Sequence, residues 1–291
     1  MKILFASILG RPNVGKSSLL NKILNYKLSI VSPVAQTTRD QITGIYNDEN
    51  YQIVFTDTPG IHKAESLLGE VLNKNALSTI KDEDVVLFLT PINEKIGSGD
   101  EFIIEKIKLA TNKIAVITKI DLAKSPEEIQ EKVNELNKFD FNKIISVSDK
   151  NEKSIDMLMN ILKEYAYEGD PFYDTDSFTT TSMRFLAKEI LRESAINHLY
   201  DELPHSIAIE INDFIEFEED KFQITATIFV KKASQKGMLI GKNGSMIKKI
   251  GMEARKKMQI LFNGQVTLQT KVKIANKWIN DEKALKKLGY E

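Results

Sequence analysis

Along the first 165 residues, short apolar runs alternate with stretches whose apolar positions recur every three or four residues. The runs at 3–9, 51–56, 85–89, 114–118 and 144–147 predict strands, and the periodic stretches at 19–24, 66–81, 100–111, 127–138 and 154–165 predict helices. Continuous apolar strands separated by helices describe an α/β domain, with a mostly parallel sheet covered by helices on both faces. Residues 41–47 read as an antiparallel edge strand that turns at 48–50 and pairs with 51–56. The pattern changes after a polar, linker-like stretch at 169–176. Helical periodicity at 183–191 leads into two alternating strands at 206–217 and 222–231, two short helical patterns across 233–251, and a last strand at 266–274. This is an α+β segment. The expected division is a first domain over 1–168, a linker over 169–181 and a second domain over 182–291.

Ligands of doubly covered parallel sheets sit at the carboxyl ends of the strands. The first strand is followed by Gly10-Arg11-Pro12-Asn13-Val14-Gly15-Lys16-Ser17-Ser18. The spacing G-x-x-x-x-G-K-S between a strand and a helix is that of a phosphate-binding loop. The glycines let successive backbone N–H groups turn inward on phosphate oxygens, and the helix N-terminus adds partial positive charge. Lys16 is expected to reach the β- and γ-phosphates, and the Ser17 hydroxyl to hold Mg²⁺.

Three more strand ends carry matching chemistry. Asp57-Thr58-Pro59-Gly60 follows the strand at 51–56. The Asp57 carboxylate can serve the Mg²⁺ shell, expected through water, and Gly60 can bring its N–H close to a γ-phosphate. Gln36-Thr37-Thr38-Arg39 lies ahead of the edge strand and suits a loop ordered by the γ-phosphate and released on hydrolysis. Thr38 is the preferred Mg²⁺ ligand there, with Thr37 second. Thr118-Lys119-Ile120-Asp121 follows the strand at 114–118. A buried Asp121 carboxylate would accept the N1–H and N2 amino protons of guanine, donors that adenine lacks. The Lys119 stem can lie on the base, and Ser146-Val147-Ser148 can present a backbone N–H to guanine O6. No catalytic group is evident. Ile61 stands where many GTPases orient water with Gln, so unassisted turnover on the order of 10⁻⁴–10⁻² s⁻¹ is expected. Asn13 suggests potassium as one aid.

Charge adds a second theme. The chain of 291 residues carries a net charge of −1, but residues 231–291 hold 15 Lys and Arg against 4 Asp and Glu, leaving 25 against 37 in the rest. A basic end fits either a polyanion partner or a lysine-rich solvated surface. Within it, Gly241-Lys242-Asn243-Gly244 is a G-x-x-G loop between two helical patterns beside predicted strands. That is the KH arrangement, which clamps single-stranded RNA where absent side chains let the backbone approach. Lys248, Lys249, Arg255, Lys256 and Lys257 would extend the cationic surface along the next helix. No cysteine occurs and the three histidines, His62, His198 and His205, are scattered, so neither disulfides nor a histidine–cysteine metal cluster is expected. The phosphate loop begins too early to leave room for a secretory signal, and no apolar run approaches a membrane span. A cytoplasmic location is expected.

The nucleotide motifs, in this order and at these distances, resemble those of translation-factor-type GTPases. Joined to the KH-like segment, they resemble the Era family of bacterial GTPases within the TrmE–Era–EngA-like superfamily. The likeness runs through 10–18, Ala35-Gln36-Thr37-Thr38-Arg39, Asp57 to His62, Gln235-Lys236-Gly237, Ile240 to Gly244, 250–256 and the ending 281–290. It implies a P-loop GTPase domain followed by a type II KH domain, with GTP/GDP and Mg²⁺ as ligands. It also implies RNA contact by Lys236, Gly237, Ile240, Gly241, Lys242, Asn243, Gly244, Lys248, Lys249 and Arg255. The partner implied is the 3′ end of small-subunit ribosomal RNA, during small-subunit maturation, with peripheral contact to the inner membrane in some members. Three departures stand out. Thr118 replaces the usual Asn, Val147 the usual Ala, and Ile279 an Arg after Trp278. Two other readings stay open on sequence: an RNA-binding scaffold in which nucleotide is structural, and another GTPase of the superfamily acting on tRNA or ribosomes. Asp121 argues against an ATPase.

Overall fold

A computed structural model describes every residue except Pro33, Ala35, Gln36, Asp82, Glu219 and Glu291, and every side chain among these except that of Lys81. The chain folds as two compact units, one mainly over residues 1–180 and the other mainly over 181–291.

The first unit contains β1 (Lys2–Gly10), α1 (Lys16–Leu24), β2 (Ile42–Asn47), β3 (Tyr51–Asp57), α2 (Leu67–Ser78), β4 (Val85–Pro91), α3 (Ser98–Lys106), β5 (Lys113–Thr118), α4 (Pro126–Leu136), β6 (Lys143–Ser146), α5 (Glu152–Lys163) and the two-residue β7 (Tyr167–Glu168). The sheet order is β2-β3-β1-β4-β5-β6, parallel except for β2 on β3, and β7 adds two antiparallel pairs at the start of β1. Every residue of β4 and β5 is buried, which is why their central stretches, 85–89 and 114–117, are continuously apolar. Helix α5 turns Ile155, Leu158, Met159 and Leu162 inward, the i, i+3, i+4, i+7 stripe of a sheet-covering helix. Because β3 and β4 flank β1 on opposite sides, the chain diverges beyond Gly10, and the phosphate loop lies in the resulting crevice.

The expected linker at 169–181 is not a free tether over its first part. The buried Gln52 side chain accepts from the Phe172 and Tyr173 amides, at 2.7 and 2.9 Å, and donates to the Tyr173 carbonyl at 2.8 Å. The Ile45 amide donates to Phe178 at 2.9 Å, and Gly44 and Thr179 form an antiparallel bridge. Residues 172–173 are therefore held at β3, and residues 178–179 against the edge strand β2.

The second unit contains α6 (Met183–Ile196), α7 (Leu203–Ser206), β8 (Ala208–Phe217), β9 (Lys221–Val230), α8 (Ala233–Ile240), α9 (Ser245–Leu261), β10 (Gln265–Ile274) and α10 (Glu282–Lys287). Its sheet runs β10-β9-β8, with β9 and β10 parallel and β8 antiparallel to β9. Ser206 closes the short helix α7 rather than opening the strand, because Pro204 favours a helical first turn. Helix α9 buries Ile250, Ala254 and Met258 at four-residue spacing and leaves its other face to solvent.

Candidate nucleotide site and RNA-facing loop

The phosphate loop leaves β1 at Gly10 and closes on α1. Gly15 is the helix N-cap at φ 103°, a left-handed conformation that disfavours any side chain, and no side chain caps the first turn of α1. The Lys16 amine donates to the Gly10 and Arg11 carbonyls at 3.1 and 2.9 Å. Burial lowers the Lys16 ammonium to about 8, with Asp57 pulling in the other direction.

Three oxygen-bearing side chains converge beside it. The Ser17 hydroxyl donates to Asp57 Oδ2 at 2.8 Å and lies 2.9 Å from the Thr38 hydroxyl. Ser17 has a single proton, so Thr38 is the donor in that second contact. Burial pushes the Asp57 carboxyl upward, opposed by Lys16, and Asp57 Oδ1 is buried with no close hydrogen-bond donor among the described residues. Two hydroxyls around an under-satisfied carboxylate form the hard oxygen set that Mg²⁺ takes. Thr37 and Arg39 are also buried, whereas Gln36 lies outside the described residues. Thr58 donates to the Ile8 carbonyl at 2.8 Å and so fixes the start of the loop after β3. Gly60 has a packing role that its sequence context did not disclose. A Cβ there would lie 2.6 Å from the Pro12 nitrogen. Ile61 is buried and donates its amide to Gly10.

The base-side loops meet the phosphate loop directly. Thr118, in place of the usual Asn, donates its hydroxyl to the Val14 carbonyl at 2.6 Å, and Lys119 donates to the Asn13 carbonyl at 2.6 Å. A hydroxyl thus suffices to tie the two loops. Asp121 differs from expectation: it is not buried, and its carboxylate already accepts from Ser148 Oγ at 2.7 Å and from the Lys150 amine. Those two donors hold its pKa below the usual carboxylate range, Lys150 first. Guanine would replace existing donors with its own, while adenine would displace them with nothing in return. The Val147 amide is engaged by the Ile117 carbonyl at 2.7 Å and the Ser148 amide by Ser154 Oγ at 3.1 Å. Neither is therefore idle for guanine O6, because Val147 is held by β5 and Ser148 by a side chain of α5.

In the second unit, α8 ends at Gly241 (φ 72°), a 3-10 turn covers 242–244, and Gly244 (φ 78°) opens α9. A Cβ on Gly241 would approach the Met246 nitrogen to 2.8 Å. Lys242, Asn243, Lys248, Lys249, Arg255 and Lys256 are exposed, as is Gly237, whose missing side chain faces open space. Lys236, Ile240 and Gly244 are half-buried beside them. Lys257 departs from the expected basic surface. It pairs with Glu193 at 2.9 Å and Glu253 at 2.7 Å, tying α9 to α6. Sequence periodicity did not separate it from its neighbours because Lys256 and Lys257 differ by a single step around the helix.

Residues 5–120 match the family model described as 50S ribosome-binding GTPase, and residues 202–279 match the KH domain model. GTPase Era of Mycoplasmopsis agalactiae is 66% identical over 290 residues, covering 100% of both chains. The chain belongs to the Era family of GTPases. The Era of Mycoplasmopsis pulmonis is 53% identical over 290 residues, with 99% of each chain covered. Among solved structures, one titled as Era in complex with MgGDPNP and nucleotides 1506–1542 of 16S ribosomal RNA has a TM-score of 0.94 at 34% identity, covering 100% of this chain and 99% of that one. A point variant of Aquifex aeolicus Era bound to GDP·AlF4⁻ gives the same TM-score, identity and coverage. The P-loop GTPase domain and the KH domain expected from sequence are both present in this Era-family chain.

Proposed function

We propose that this chain hydrolyses GTP as a switch controlling how its KH unit binds the 3′ end of small-subunit ribosomal RNA, and so assists small-subunit maturation. The observation that carries the reading is the convergence of Lys16, Ser17, Thr38 and Asp57 at one strand end, in a chain whose other unit presents an exposed G-x-x-G loop. The Era relative solved with MgGDPNP and an RNA fragment supports the same pairing of ligands. Ser17 and Thr38 would hold Mg²⁺, with Asp57 directly or through water, and Mg²⁺ would neutralise charge on the β- and γ-phosphates. Lys16 would release the Gly10 carbonyl for phosphate oxygens while keeping the Arg11 carbonyl, since its ammonium has three protons. Asp121 would read guanine. Gly241 and Gly244 would let an RNA backbone approach, with Lys242, Lys248, Lys249 and Arg255 supplying charge.

Potassium is proposed as a hydrolysis aid acting near Asn13, since Ile61 is apolar and buried and orients no water. Single-turnover rates in potassium exceeding those in sodium support this, and equal rates remove it. Among the described residues, no helix is long and apolar enough to cross a membrane. We place the protein in the cytoplasm, with peripheral membrane contact through its basic end, testable by flotation with anionic vesicles. Crosslinking in cells followed by RNA sequencing tests the main proposal. Reads concentrated at the small-subunit ribosomal RNA 3′ end are expected, and reads concentrated on tRNA or large-subunit RNA would overturn it.

A further inference from the structure

Arg11 occupies the second position of the phosphate loop, yet its side chain is engaged away from Lys16. Its Nε lies 2.8 Å from Asp100 Oδ2, and its terminal nitrogen donates to Glu94 at 2.8 Å. Asp100 is completely buried in the first turn of α3, where the same oxygen accepts the Gly97 amide at 3.0 Å. Among the described residues its second oxygen has no hydrogen-bond donor, so Arg11 is the principal partner of this buried carboxylate. A Cβ on Gly99 would meet the Arg11 stem at 2.9 Å, so the guanidinium arm is packed as well as paired. The anchoring loop is itself braced. Lys132 of α4 donates to the Glu94 carbonyl at 2.7 Å, and the Ile96 amide donates to Glu135 at 3.2 Å.

The backbone of Arg11 faces the other way, because its carbonyl accepts the Lys16 amine at 2.9 Å. One residue therefore joins α3 and α4 to the cation expected to meet the β- and γ-phosphates. We infer that Arg11 is a positioning residue for phosphate binding, with Asp100 and Glu94 as its anchors. It fixes the peptide plane that holds Lys16, so that the loop meets the ligand already formed. The inference rests on the nucleotide-binding reading above and deepens it.

Phosphate length supplies the test. A guanosine monophosphate has no β- or γ-phosphate for Lys16 to meet, whereas GDP and GTP do. Calorimetry or competition with labelled nucleotide on the full chain is expected to show Arg11→Met binding GDP and GTP about tenfold more weakly, the scale of losses when a supporting residue is removed. Its affinity for guanosine monophosphate should match wild type. Asp100→Asn should share the pattern, and Arg11→Met/Asp100→Asn should lose no more than Arg11→Met alone. Arg11→Lys, which cannot hold both acids, should rescue in part. Equal losses for all three nucleotides, additive losses in the double variant, or no loss would overturn the inference. If Arg11→Met fails to fold, the half-exposed Glu94→Gln carries the same phosphate-length comparison. Wild-type protein that bound none of the three nucleotides would instead overturn the functional reading, and the inference with it.

Discussion

The two glycine-rich loops of this chain are built on one backbone plan and finished in opposite ways. Each precedes a helix whose N-cap is a left-handed glycine, Gly15 at φ 103° and Gly244 at φ 78°, with no side-chain cap. Each also holds an asparagine in the left-handed region, Asn13 at φ 63° and Asn243 at φ 53°. Both therefore present helix-terminal amides to an anion. In the first loop, Lys16 is buried and tethered to two carbonyls, and neighbouring loops brace it from both sides. In the second, Lys242 is exposed and a Cβ on Gly244 would meet nothing. A closed cradle suits a small ligand of fixed geometry. An open one suits a polymer that must slide in from the side. The plan supplies the anion affinity, and burial decides what kind of anion is selected.

This contrast can be broken most forcefully at the buried lysine. Lys16→Ala is expected to weaken GTP and GDP binding by roughly 10²-fold, since hydrogen bonds to a charged group are worth about 1.5–3 kcal/mol and Lys16 would make more than one. Lys242→Ala should weaken RNA binding only a few-fold and reduce the salt slope by about 1, because it removes one exposed charge among several. Comparable losses from both substitutions would erase the distinction between closed and open loops. Isothermal calorimetry for nucleotide and a salt series by fluorescence anisotropy for RNA provide the two numbers.

The next effect concerns specificity. Asp121→Asn exchanges an acceptor for a mixed donor–acceptor, so GTP binding should fall by about 10²-fold and a xanthine nucleotide, with a carbonyl in place of the guanine amino group, should gain. Unchanged GTP preference in a competition assay would mean that another residue reads the base. Smaller still is the tie between loops. Thr118→Ala leaves the buried Val14 carbonyl unpaired and should cost about 1–2 kcal/mol of stability by denaturant melts, with Thr118→Asn recovering most of it.

The second unit has a matching tie at Glu253. Burial pulls its carboxyl upward, but hydrogen bonds from Lys257, Asn197 and His198 pull further, leaving it below its usual value. A depressed carboxylate contributes stability that is present above its unfolded pKa and is lost as pH falls through the folded one. Acid melts of wild type should thus show a loss below about pH 4.5 that Glu253→Gln lacks. Parallel acid profiles would remove the carboxylate from the account.

Most of the fold could be read from the chain because its signals were local. Buried parallel strands read as apolar runs, and β4 and β5 do so through residues 85–89 and 114–117. The phosphate loop, Asp57 and the G-x-x-G loop carried their chemistry in adjacent residues. What escaped depends on partners far apart in sequence. Asp100 meets Arg11 across 89 positions, Gln52 grips Phe172 across 120, and Thr118 reaches Val14 across 104. No periodicity marks such pairs. The pairing of Lys257 escapes for a related reason: composition records a charge, while only the opposing Glu193 on α6 shows that the charge is already matched.

In the proposed switch, the closed loop governs what the open loop binds. This is tested most directly by the affinity of the full chain for a labelled RNA of the small-subunit 3′-terminal sequence, measured with a non-hydrolysable GTP analogue and again with GDP. The account predicts different affinities in the two states, and by reciprocity the RNA should shift the preference between analogue and GDP by the same factor. Identical affinities in both states would contradict it.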